Sequence, residues 1–136
     1  MIPKVFPGNY ASLEKISEFV KIAAKNAGFD DFTIYTIETA VDEACSNIIE
    51  HAYGRENRGD IEISIDETKE SLLISIKDNG KPFNPDSVPM PDLTSNIDNR
   101  DEHGLGLYMI RQWMDEVIFE FKDNANFLTI IKHKGS

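Results

Sequence analysis

Two runs of alternating residues constrain this chain more than any other feature. Ile61, Ile63 and Ile65 alternate with polar residues, and Leu72, Ile74 and Ile76 recur at the same spacing beyond a polar connection at Glu67–Glu70. Successive side chains of a strand point to opposite faces, so each run presents one apolar face. The two predict a half-buried hairpin whose apolar face other elements must cover.

Helices to cover it lie upstream. From Asn9, a candidate N-cap, Leu13, Ile16, Phe19, Val20, Ala23, Ala24 and Ala27 fall at helical spacing, and Gly28 follows as a C-cap. A second helix is expected from Asp31 to about Tyr53, with Val41, Ala44, Cys45, Ile48, Ile49 and Ala52 as its stripe and Gly54 as its stop. Val5 and Phe6, between Pro3 and Pro7, read as a brief edge strand. A third helix is expected from Leu105 to about Met114, then strands at Val117–Phe121 and Phe127–Ile131. The order β, α, α, β, β, long loop, α, β, β predicts an α+β fold: a two-layer α/β sandwich, its sheet mixed but mainly antiparallel, with helices on one face.

At 136 residues the chain is the size of one domain, and 40% hydrophobic against 28% charged residues is an ordinary globular balance. The formal charge of −10 repels phosphate backbones and anionic lipid, which argues against nucleic-acid and membrane partners. Cys45 is the only cysteine, so no internal disulfide or cysteine metal cluster can form. With no signal-peptide pattern and no apolar run approaching a membrane span, a soluble cytoplasmic protein is the expectation.

Three local patterns carry chemistry. Glu43, Asn47 and His51 are spaced four apart, so a polar line climbs the second helix, drifting by about 40° per step. A carboxylate and an amide oxygen on that line could supply a base and a ligand for a hard cation such as Mg²⁺, although a solvated helix face has the same spacing. Asp78-Asn79-Gly80 ends an alternating strand; the carboxylate could accept from a ligand amine, and the same tripeptide also makes a plain turn. Gly104-Leu105-Gly106-Leu107 opens the third helix, where free backbone N–H groups could bind an anion or the glycines could serve as a hinge. Between the last two, residues 79–103 hold four prolines among many Asp and Asn, and loops of this length are commonly functional lids. One helix, one strand end and one glycine-rich helix start, in this order, form a nucleotide site.

On these residues the chain resembles the ATPase superfamily of histidine kinases, gyrase, the Hsp-type chaperone and MutL-like proteins. Glu43-x-x-x-Asn47 is similar to its N box, Asp78-x-Gly80 to its first glycine box and Gly104-x-Gly106 to its second. The runs Ala40–Tyr53 and Gly104–Ile110, with Met114-Asp-Glu-Val117, further resemble the anti-sigma factor serine/threonine kinases of the RsbW and SpoIIAB type. No Gly-Lys-Ser/Thr phosphate loop, dinucleotide fingerprint or His-Glu-x-x-His run competes with that reading.

The resemblance implies a Bergerat ATP-binding fold over residues 1–136, with a lid at about 81–103 and ATP and Mg²⁺ as cofactors. It implies that Asn47 ligates Mg²⁺ and that Glu43 takes the proton from an attacking hydroxyl. Asp78 would bind the adenine amine, Gly80 would let the base approach the backbone, and Gly104, Leu105, Gly106 and Leu107 would present amides to the phosphates. Arg100 and His103 lie where the lid meets the second glycine box; Arg100 could neutralise phosphate or be a solvated arginine in an acidic loop. His51 takes a supporting or packing role. The family's last strands often begin with glycine and threonine, where this chain has Ala125, Asn126 and Phe127, so Asn126 either substitutes as the polar contact or leaves adenine binding weaker. The implied function is phosphorylation of a serine or threonine on a STAS-type anti-sigma factor antagonist, with sequestration of a sigma factor and homodimerisation. The alternatives are a nucleotide-dependent interaction protein without kinase chemistry and a solitary ATPase.

Overall fold

The alternating runs pair with each other as expected. In a computed structural model that describes residues 3–82 and 110–135, β2 (Asp60–Glu67) and β3 (Ser71–Asp78) form an antiparallel hairpin, with Ile63 opposite Ile76 and Ile65 opposite Ile74. The hairpin turn is closed by Thr68, whose N–H donates to the Ser71 carbonyl at 2.8 Å while its Oγ1 accepts from the Ser71 N–H at 2.9 Å. β1 (Lys4–Pro7) lies on the outer edge of β2, and β5 (Ala125–His133) pairs with β3 and with β4 (Glu116–Lys122). The spatial order is β1-β2-β3-β5-β4, and each of these pairings is antiparallel.

Two helices cover one face. α1 (Ala11–Asn26) buries Ile16, Val20 and Ala24, one per turn, and Asn9 caps its start by accepting from the Ser12 N–H at 3.0 Å. At its end the Gly28 N–H donates to the Lys25 carbonyl and the Phe29 N–H to the Ala24 carbonyl, a pairing that requires the left-handed conformation Gly28 adopts at φ +92°. α2 (Asp31–Asn47) begins on Asp30, whose carboxylate accepts from the Thr33 N–H at 2.8 Å.

The long second helix expected to reach Tyr53 does so with a change of winding. Beyond Asn47 the chain makes a π-helical turn over Ile48–Ala52, in which the Tyr53 N–H reaches back five residues to the Ile48 carbonyl at 2.9 Å. Ile34, Ile37, Val41, Ala44, Cys45, Ile48 and Ile49 from this helix pack with Ile61, Ile63, Leu72, Ile74, Ile76 and Ile130 from the sheet to form the core. Each such isoleucine contributes roughly 1.5–3 kcal/mol when withdrawn from water. Before β4, residues 110–113 are helical and place Ile110 and Met114 in that core; the rest of the expected third helix lies outside the described residues.

The last hairpin is tighter than its sequence suggested. Lys122 pairs with Ala125 across Asp123 and Asn124, both left-handed at φ 53° and 59°, which is the two-residue turn that matches strand twist. Asp and Asn tolerate that conformation, so β5 begins at Ala125 and Asn126 sits within the sheet, directly opposite Asp78.

Candidate nucleotide site

A cleft opens where the end of α2 and its π turn lie over the ends of β3, β5 and β4. Asn47 and His51 stand on the helical wall, Asp78 and Asn126 on the sheet, and Ile76, Leu128, Phe119 and Ile110 supply apolar surface. Asn47 is the last residue of α2. An α-helical line would carry His51 about 40° past it, whereas the wider π turn counteracts that drift, so both residues border the cleft. Glu43, one turn before Asn47, is half-buried and not among the cleft-lining residues.

Asp78 is 4% exposed at the C-terminal end of β3. Its Oδ1 accepts from the Gly80 N–H at 2.8 Å and from Asn126 Nδ2 at 2.9 Å. Both bonds fall on one oxygen, and among the described residues Oδ2 takes none. Burial pushes the Asp78 carboxyl up, and the hydrogen bonds from Asn126 and Gly80 pull it back toward the ionised form. The result is a buried carboxylate with one oxygen tied down and the other suited to a ligand N–H.

Gly80 meets a steric requirement of its own. A Cβ there would lie 2.5 Å from the carbonyl carbon and oxygen of Ala52, so the turn can pass the helix end only without a side chain. The Lys81 N–H then donates to the Ala52 carbonyl at 2.9 Å, which fastens the turn to the π-helical segment.

Two contributors to the site were not assigned from sequence. Tyr53 donates its hydroxyl hydrogen to the Asp60 carbonyl at 2.6 Å and accepts from the Asn79 N–H at 3.0 Å, joining the helix end, the start of β2 and the Asp78 turn. Its ring fills the place where a Cβ on Gly59 would stand, 2.5 Å away. Lys81 lines the cleft and offers its carbonyl to Asn126 Nδ2 at 2.7 Å. The adjacency of Lys81 to the Asp78-x-Gly80 motif was its one signal; Tyr53 had none beyond closing a helix. Of the expected site residues, Asn47, Asp78, Gly80 and Asn126 come together here, while Arg100, His103, Gly104, Leu105, Gly106 and Leu107 lie outside the described residues.

The family model of the histidine kinase-like ATPase domain matches residues 6–132. The chain belongs to that family. Among curated relatives it is similar to the serine/threonine-protein kinase BtrW of Bordetella bronchiseptica, 28% identical over 101 residues that span 74% of this chain and 71% of the relative. It is 33% and 35% identical to the serine-protein kinases RsbW of Bacillus velezensis and Bacillus mycoides, in each case over 69% of this chain and 61% of the relative. Its fold is similar to a structure of the RsbU and RsbW domains of Rv1364c from Mycobacterium tuberculosis, with a TM-score of 0.62, 15% identity and coverage of 97% of this chain and 32% of that one. The catalytic domain of histidine kinase ThkA superposes with a TM-score of 0.59 at 16% identity, over 98% of this chain and 99% of that one. No helix among the described residues is long and apolar enough to cross a membrane.

Proposed function

We propose that residues 1–136 form a histidine kinase-like ATPase domain with a lid at about 81–103, acting as a cytoplasmic ATP-dependent serine/threonine kinase. Its substrate is a hydroxyl on a STAS-type anti-sigma factor antagonist, and its dimer sequesters a sigma factor when the antagonist is absent. The observation that carries the reading is Asp78: a buried carboxylate, held through one oxygen by Gly80 and Asn126, at the base of an apolar cleft bordered by Asn47. The names of the three curated relatives given above, one a serine/threonine-protein kinase and two serine-protein kinases, support the choice of hydroxyl phosphorylation.

The residues present fit an adenine nucleotide with Mg²⁺. Asp78 Oδ2 accepts from the amine of the base, and Ile76, Leu128 and Phe119 give its ring an apolar bed. Asn47 offers a neutral amide oxygen, and no group of three or more His, Cys, Asp or Glu among the described residues forms a closed metal cage. That donor set suits a cation held chiefly by phosphate oxygens and water. When bound, Mg²⁺ supplies charge neutralisation along the phosphates. Glu43 takes the proton from the substrate hydroxyl.

Calorimetric titration with ATP and ADP, with and without Mg²⁺, beside Asn47→Ala, tests the site. Mg²⁺-dependent binding that weakens in Asn47→Ala is the expected result. Absence of binding in the wild-type protein would reject the nucleotide site, and binding without phosphate transfer to any candidate antagonist would favour a nucleotide-switched interaction protein.

A further inference from the structure

Tyr53 acts on both walls of the cleft without lining it. Its backbone N–H closes the π turn on the Ile48 carbonyl at 2.9 Å, which shapes the helical wall that carries Asn47 and His51. Its hydroxyl reaches the sheet wall and accepts from the Asn79 N–H at 3.0 Å, directly after Asp78. A phenol has one hydrogen to give, and that hydrogen goes to the Asp60 carbonyl at 2.6 Å. These side-chain bonds span 7 and 26 positions of sequence, so one hydroxyl ties the helix end to the start of β2 and to the turn that ends β3.

We infer that Tyr53 is a positioning residue for nucleotide binding: through the Asn79 N–H its hydroxyl holds the Asp78 turn at a fixed separation from the helix end, so that one ligand can meet Asp78 and Asn47 together. The inference rests on the nucleotide reading proposed above. Two groups that grip one ligand contribute fully only when their spacing is held before the ligand arrives, because ordering them on binding subtracts from affinity. The ring that carries the hydroxyl is itself held in a slot. A Cβ on Gly59 would lie 2.5 Å from its Cε1 and Cζ, and a Cβ on Gly8 would lie 3.4 Å from its Cδ2. The two glycines set the ring, and the ring sets the hydroxyl.

The other bonds on this turn act two residues further on. The Lys81 N–H donates to the Ala52 carbonyl and the Lys81 carbonyl accepts from Asn126, so both hold position 81, whereas the Tyr53 hydroxyl holds position 79. Two substitutions separate the ring from its hydroxyl. Tyr53→Phe keeps the ring in its slot and the backbone bond to Ile48, and removes the bonds to Asn79 and Asp60. Gly59→Ala keeps the hydroxyl and displaces the ring; Gly59 is not left-handed, so alanine meets the Tyr53 ring without backbone strain of its own.

The test is calorimetric titration with ADP of the wild type, Tyr53→Phe, Gly59→Ala, Asp78→Asn and the Tyr53→Phe/Asp78→Asn double variant, each at a temperature where its unfolding curve shows a folded protein. Tyr53→Phe is expected to weaken ADP binding by about tenfold, and Gly59→Ala by a similar factor. In the Asp78→Asn background the turn no longer presents a carboxylate, so the same Tyr53→Phe change should cost about twofold or less. A general loss of rigidity would weaken ADP equally in both backgrounds. Equal factors therefore overturn the inference, as does wild-type affinity in Tyr53→Phe or Gly59→Ala. A wild type that binds no ADP removes the nucleotide reading, and this inference with it. Should the variants not fold, amide exchange in the wild type decides. Coupling is reciprocal, so saturating ADP must slow exchange of the Asn79 N–H by about tenfold, and exchange that ignores ADP overturns the inference.

Discussion

A carboxylate that is 4% exposed is destabilised in its charged form, and Asp78 bears that penalty in the free protein. Its folded pKa is raised, so its contribution to stability is fully present below the unfolded carboxyl range and is lost as pH rises through the folded value. Asp78→Asn removes the charge while keeping an oxygen for Asn126 and Gly80. The variant is expected to melt at the same or a higher temperature at neutral pH while binding ADP about tenfold or more weakly. Melting curves at acidic and neutral pH check this: the wild type should gain on the variant as pH falls, and a constant gap would remove Asp78 from the account. Glu43 makes a contrasting case, being half-buried on α2 but set back from the cleft wall. Glu43→Gln should bind ATP as the wild type does and transfer phosphate roughly 10²-fold more slowly, read by radiolabel transfer to a candidate antagonist. Unchanged transfer would take the proton-accepting role from Glu43.

Among the elements, the glycines separate what stabilises the fold from what shapes the site. Gly28 ends α1 in a left-handed conformation with open space around it, so Gly28→Ala should cost about 1 kcal/mol and leave nucleotide affinity unchanged. Gly80 passes so close to the Ala52 backbone that a methyl group has nowhere to go. Gly80→Ala should cost about 2 kcal/mol or more and weaken ADP binding, because the displaced turn carries the N–H that Asp78 accepts. Denaturant unfolding and calorimetry on the two variants read both quantities, and equal effects on affinity would argue that the turn and the site are independent. The helix and strand positions were legible because periods of 3.6 and 2 are strong signals. The π turn was not, since its residues keep helical propensity, and the core packing of Ile48 and Ile49 and the Lys81 N–H bond to the Ala52 carbonyl are contacts that local propensity does not report.

Over the molecule as a whole, a ligand that binds only the folded state raises stability by mass action. ADP at a hundred times its dissociation constant should add about 2.7 kcal/mol. For a chain of 136 residues that raises Tm by on the order of 10 °C. A thermal-shift series should show that rise in the wild type and a smaller one in Asp78→Asn; a ligand-independent Tm would argue against a nucleotide site. The net charge of −10 sets a second expectation, because self-repulsion opposes compaction and salt screens it. Tm should therefore climb with moderate salt, and a Tm that ignores salt would mean the charges are paired locally.

The sequence by itself determined the layers and the motif residues. Alternation and helical stripes depend on the covalent order of apolar side chains, and Asn47, Asp78 and Gly80 could be read as similar to known boxes because their spacing is local. Tertiary structure alone decided the partnerships. Asn126 was legible only as a departure from a family pattern, and its pairing with Asp78 depends on strand register across 48 positions and on the tight Asp123-Asn124 turn that draws it into the sheet. Tyr53 and the Ala52 carbonyl became part of the site because a helix end, a strand start and a glycine turn meet there. Hydrogen bonds are short-ranged and directional, so they belong to neighbours in space, and neighbours in space are what chain folding creates.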